Sequence, residues 1–246
     1  PDAAILCAAY GVTAKGNFED NENVLHVAAS TEELSRRFDR TPEQIESTLE
    51  DAKRRLLERR NARPRPARDD KMIAAWNGLM ISSLAYGGAV LGEPRYTQAA
   101  ARAAVYVFDA LRSGDRLMRY GRDGRVIEKA FLEDYAFMVL GLIDLYEATF
   151  EVEWLREARS LAGQMVGLFA DAEAGGFFMS GADAERLIHR DKPAYDGAVP
   201  SGNSMAAIAL LQLGEITNKN SYLAAGERTV EAFARTMERV PMATET

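Results

Sequence analysis

The sequence predicts an all-α fold of two curved layers, an α/α toroid or an α-solenoid, and three observations carry that prediction. A helical hairpin recurs three times, starting near Trp76, Glu133 and Gly202. In each copy the first helix is apolar nearly all round and the second carries a charged face, which puts first helices inside and second helices outside. Glycine-rich turns between short β-prone runs break the helical pattern only between copies.

The elements follow in order. Residues 1–30 read as an irregular entry segment. Ser30 with Glu33, and Thr41 with Gln44 and Pro42 at the first helical position, are capping boxes that open helices over 31–39 and 42–60. Acids lead the second of these helices and Lys53, Arg54, Arg55, Arg59 and Arg60 trail it, in the order the helix dipole favours. Pro64 and Pro66 then mark a connector. With Asn77, Asp134 and Asn203 as equivalent anchors, an aromatic residue follows 19 or 20 positions later, at Tyr96, Trp154 and Tyr222. A small residue falls four further on, at Ala100, Ala158 and Gly226. The hairpins are expected over 72–111, 132–171 and 200–238, all within one toroid domain spanning 1–246. Leu117–Tyr120 and Arg125–Ile127 flank a Gly121-Arg122-Asp123-Gly124 turn, and Gly176–Met179 with Leu187-Ile188-His189 suggests a second β-hairpin. If the inner helices run alike, these hairpins and the inner N-termini share one rim.

Composition limits the functions open to such a fold. With 246 residues, 47% hydrophobic and 27% charged, the chain reads as an ordinary globular protein. A net charge of −7 repels polyanions, so nucleic acid is not an expected partner. The basic run Lys53–Arg68 holds eight cations against one acid but no aromatic residue, and helix-end complementarity together with a Pro64 and Pro66 connector is the expected explanation. A lone Cys7 precludes an internal disulfide, no apolar stretch approaches the roughly 20 residues of a membrane span, and no basic leader precedes Tyr10. A cytoplasmic location is expected, as is a chain cut from something longer.

The rim gathers the chemistry. Asp69, Asp70, Lys71 and Trp76 precede or open the first inner helix, Glu133, Asp134 and Tyr135 the second, and Tyr195, Asp196, Ser201 and Asn203 the third. Paired carboxylates on a concave surface with aromatic rings suit sugar hydrolysis or isomerisation, which need one acid, one base and flat faces for a pyranose. Asp70, Glu133, Asp134 and Asp196 are therefore the candidate acids and bases. Trp76 and Tyr135 are candidates to stack the sugar, Asn77 and Asn203 to orient hydroxyls, with Tyr195 and Ser201 completing the binding set. Helix capping is the competing reading for each carboxylate and for Ser201. His26 and His189 lack metal-ligand spacing, and neither a phosphate loop nor a dinucleotide fingerprint occurs, so no metal or cofactor is expected.

The same residues resemble a known family. Tyr10-Gly11-Val12-Thr13 with Gly16-Asn17-Phe18-Glu19, Trp76-Asn77-Gly78-Leu79-Met80-Ile81, Phe131-Leu132-Glu133-Asp134-Tyr135-Ala136 and Asp196–Ser204 look like the thioredoxin-domain-containing proteins of the YyaL and spermatogenesis-associated type. That resemblance covers nearly the whole chain. It implies a six-hairpin (α/α) toroid, of the N-acylglucosamine 2-epimerase and six-hairpin glycosidase kind, behind a thioredoxin-like domain. This chain would hold the later, incomplete part of the toroid, without redox activity, and would self-associate or be covered by the missing N-terminal part. The leading expectation is a glycosidase- or epimerase-like domain; the alternative is a non-catalytic glycan- or protein-binding scaffold.

Overall fold

A computed structural model describes residues 2–122, 124–185 and 188–244. Where the sequence suggests one toroid domain, contacts divide the chain into two compact units, Pro1–Arg68 and Asp69–Thr246.

The first unit holds α1 (Asp2–Ala9), α2 (Thr31–Phe38) and α3 (Pro42–Asn61) around buried Ile5, Ala9, Leu34 and Ile45. Both capping boxes form: Ser30 Oγ accepts from Glu33 N at 3.3 Å, and Thr41 Oγ1 from Gln44 N at 3.4 Å. The Tyr10–Glu19 motif is a loop that Asn17 ties, its Nδ2 donating to the carbonyls of Gly11 and Val24 and its Oδ1 accepting from Val24 N.

The second unit contains the three hairpins: α4 (Ala74–Leu91) with α5 (Pro94–Ala110), α6 (Leu132–Thr149) with α7 (Val152–Phe169), and α8 (Gly202–Thr217) with α9 (Asn220–Arg239). Their inner helices all stop on a left-handed residue, Gly92, Phe150 and Asn218. The recurring small residues are buried, Ala100, Ala158 and Gly226, and the aromatics before two of them, Trp154 and Tyr222, pack inward. α6 is sandwiched between α4 and α8 and is almost wholly buried. α4 departs from expectation: Trp76, Met80, Tyr86 and Val90 are exposed along it, because it has an inner-helix neighbour on one side only.

A small antiparallel sheet sits between the first two hairpins. β3 (Arg116–Arg122) pairs with β1 (Met72–Ile73), β2 (Arg112–Ser113) and β4 (Arg125–Lys129), with Tyr120 opposite both Ile73 and Ile127. The expected hairpin is thus longer than the sequence suggests and gains two short partners; Asp123 of its turn lies outside the described residues. The second expected β-hairpin does not form among them. Phe177 makes a single bridge to Ala170 and Met179 N donates to Asp191 O at 2.7 Å, while Leu187 is outside the described residues and Ile188 and His189 are in a bend.

Candidate functional site

The inner helices begin side by side. In the first turn of α4, Ala75 N donates to Asp134 Oδ1 in the first turn of α6 at 3.0 Å. Gly78 then meets Phe137, and Ser82 Oγ lies 2.5 Å from Asp144 Oδ2, so the two helices run parallel. On the other flank, Gly202 at the start of α8 is so close to α6 that a Cβ on it would lie 3.2 Å from Glu133 N. Three helix N-termini therefore share one rim, and β1 leads straight into α4 there.

Glu133 and Asp134 occupy its centre with Arg119 of β3. Arg119 Nη1 is 3.2 Å from Glu133 Oε1 and 3.9 Å from Asp134 Oδ2, its Nε is 3.8 Å from Glu128 Oε2, and its guanidinium stacks over Phe131 at 4.5 Å. Nη1 is buried and makes no hydrogen bond, so it keeps a donor direction unused. Glu133 retains 32% of its side-chain exposure. Asp134 is wholly buried, and both of its oxygens accept backbone N–H groups, Oδ1 from Ala75 and Oδ2 from Phe131 at 2.9 Å. Burial pushes its carboxyl up to about 7 against the opposing pull of those amides and of Arg119.

The other expected residues divide by exposure. Trp76, 63% exposed, follows the residue that bonds Asp134, and Tyr195 is 71% exposed ahead of α8. Asp70 is exposed just before β1. Asp196 is half-buried and caps: its Oδ1 accepts from Ser201 N at 2.7 Å, while Ser201 Oγ accepts from Ser204 N at 3.0 Å. Asn77 Nδ2 donates to Ile73 O at 2.8 Å, closing the turn into α4.

Two expectations need correction. Tyr135 offers no stacking face: its ring is fully buried against Phe169, and its hydroxyl accepts from Arg116 Nη1 and Leu117 N while pairing with Gln164 Oε1. Asn203 cannot orient a sugar hydroxyl, because it is buried and spent on Phe177 N, Phe177 O and Pro193 O at 2.7–2.9 Å. A Tyr135→Phe variant is expected to lose about 1–3 kcal/mol by orphaning the Leu117 amide. Urea denaturation measures that loss, and a ligand titration should not move.

Arg119 and Arg116 are missing from the sequence reading. Arg116 forks onto Asp183 at 3.1 and 3.3 Å, where Lys129 joins at 3.1 Å. The available signal was strand alternation: Leu117 and Gly121 of β3 face the core, and Arg119 shares their side. Among the described residues, no group of three His, Cys, Asp or Glu side chains could hold a metal ion, and no helix is long and apolar enough to cross a membrane.

No family model matches the chain. Spermatogenesis-associated protein 20 of Homo sapiens is 38% identical across 97% of it, and the Mus musculus protein of that name 36% across the same share. The chain is a homologue of spermatogenesis-associated protein 20. It spans about a third of that protein's length, 33% in both species. An uncharacterised protein of Caenorhabditis elegans is 29% identical over 91% of the chain and is covered to 31%. Solved structures share the α/α toroid fold with this chain. Cellobiose 2-epimerase from Spirochaeta thermophila matches with a TM-score of 0.55 at 18% identity, over 66% of this chain and 43% of the enzyme. An α-mannanase of glycoside hydrolase family 76 from Bacteroides thetaiotaomicron gives 0.57 at 15%, over 71% and 46%. The unsaturated glucuronyl hydrolase of a Bacillus species gives 0.53 at 17%, over 69% and 48%.

Proposed function

We infer that this chain is part of a carbohydrate-active toroid of glycosidase or epimerase type whose rim binds a sugar. The observation that carries this reading is the meeting of three inner-helix N-termini, which sets the accessible Glu133, paired with Arg119, beside the α4 start that bears exposed Trp76. Glu133 is the carboxylate that reaches solvent there and takes the acid or base role. The Trp76 indole supplies a flat face for C–H groups of a pyranose, and Arg119, whose buried Nη1 lies 3.2 Å from Glu133 Oε1, holds that carboxylate in place. Asp134 acts through them as a positioning residue, since backbone amides already hold both its oxygens. Asp70 and Asp196 line the approaches to α4 and α8. Enzymes of the same fold are named for cellobiose epimerisation, mannan cleavage and glucuronyl hydrolysis, which supports a sugar as the ligand class.

A second reading, a non-catalytic glycan-binding scaffold, is favoured by the removal of Asp134 from any reacting group. Tryptophan emission tests both, because of the two tryptophans Trp76 is exposed and Trp154 is buried. Titration with a panel of mono- and disaccharides is expected to give a saturable change, kept in Trp154→Phe, where Trp76 is the remaining emitter, and weakened in Glu133→Gln. If no sugar alters the emission, the carbohydrate reading fails. If Glu133→Gln binds a sugar as the parent does and turnover is absent from both, the scaffold reading stands.

A further inference from the structure

The Arg-rich end of α3 and the tail behind it carry more charge than the helix needs. Residues Lys53–Arg68 hold a local excess of seven positive charges in a chain of net charge −7. Dipole complementarity acts within the last helical turn, and only Arg59 and Arg60 lie there. Internal partners take some of the others: Arg54 pairs with Asp51 and Glu58, Arg65 donates to Asn61, and Lys53 lies over the Tyr10 ring. The side chains of Arg55, Arg59, Arg60 and Arg63 are exposed and make no hydrogen bond, ion pair or ring contact among the described residues. Arg55 and Arg59 are one helical turn apart, about 6 Å along the axis. Beyond them Arg60, Arg63, Arg65 and Arg68 line a surface hollow of about 680 Å³ with Pro64 and Pro66.

We propose that this Arg55–Arg68 surface binds a short, carboxylate-rich polypeptide segment. Arginine forks pair with carboxylates two bonds at a time, and seven of the eight cations are arginine. The footprint sets the partner's length. Glu43, Glu46, Glu50 and Asp51 occupy the earlier part of the same helix, so a long polyanion lying along α3 runs from attraction into repulsion. A short acidic segment meets only the basic end, within a Debye length of about 8 Å at physiological salt. Single-stranded nucleic acid is disfavoured as well, since residues 53–68 contain no aromatic ring on which a base could stack.

Fluorescence anisotropy of the whole chain with labelled octaglutamate tests the proposal, with octaglutamine and an oligothymidylate of equal charge as comparisons. Octaglutamate is expected to bind, to weaken as salt rises, and to lose about tenfold or more in affinity in the Arg55→Gln/Arg59→Gln/Arg60→Gln/Arg63→Gln variant. These side chains are solvent-exposed and Gln keeps helix propensity, so the circular dichroism of the variant should match the parent. Three results overturn the proposal: octaglutamate binding no tighter than octaglutamine, affinity unchanged in the variant, or tighter binding of the oligothymidylate, which assigns the surface to nucleic acid.

Discussion

Gly141→Ala is expected to destabilise the Asp69–Thr246 unit by about 1–3 kcal/mol, because one methyl group must enter a seam that has no room for it. A Cβ on Gly141 would sit 2.5 Å from Gly78 O, and one on Gly78 would sit 2.5 Å from Phe137 C. Both obstructions are backbone atoms of a facing helix, so relief requires α4 and α6 to move apart. That in turn loosens the Ala75–Asp134 bond and the packing of Ile81. Helix propensity works the other way, favouring Ala over Gly by about 1 kcal/mol, and the expected loss is net of it. Gly163 of α7 supplies the control: nothing lies within 4 Å of its Cβ position, so Gly163→Ala should gain about 0.5–1 kcal/mol. Urea titrations of both variants followed by circular dichroism decide the matter. Equal effects at the two positions would show that the seam is not tight.

Asp134→Asn is expected to change how stability depends on pH, with the largest cost in mild acid. Burial lifts the folded-state carboxyl to about 7 from an ordinary 3.8. Across that window the native chain binds a proton that the unfolded chain has released, so stability falls as pH rises. This contribution is complete below about pH 4 and is lost as pH climbs through 7, a swing on the order of 4 kcal/mol. Asn does not titrate, and it turns an NH₂ toward one of the two amides that Asp134 satisfies, at a cost of about 1–3 kcal/mol. The variant should therefore be less stable than the parent near pH 4, with the gap closing as pH rises and reversing by pH 8, where the swing exceeds the cost of the Asn amide. Asp144, also raised by burial, acts in the same direction in both proteins and cancels in the difference. Parallel stability curves for the two proteins would refute the assignment to Asp134.

Local signals made the helices legible. Ser30 and Thr41 cap where their spacing to Glu33 and Gln44 says they should, and the all-apolar run Phe137–Leu145 marks α6 as buried. The same pattern misleads for α4, whose apolar residues look alike in sequence whether or not a neighbour covers them; burial of Met80 or Val90 depends on the next element, which a helical period does not encode. Site residues were legible as a group and not one by one. Glu133 and Asp134 are adjacent, yet one reaches solvent and the other is sealed, because α4 and the Phe131 turn close over only one of them. Tyr135 and Asn203 carry the polar groups a sugar site needs, and the fold spends those groups on Leu117, Phe177 and Pro193. The Gly176–Met179 run is β-prone, but its hydrogen bonds go to Phe169, Ala170 and Asp191, a choice fixed by tertiary distance.

The connections between hairpins differ in length far more than the inner helices, which run 18, 18 and 16 residues: 57 residues separate the first two anchors and 69 the next two. Because α4, α6 and α8 each stop on a left-handed residue and restart within a few positions, insertions accumulate where the chain crosses the end that bears Glu133. A crossing segment can thus lengthen at that end without disturbing the packed interior, which leaves the contour of the rim independent of the scaffold beneath it.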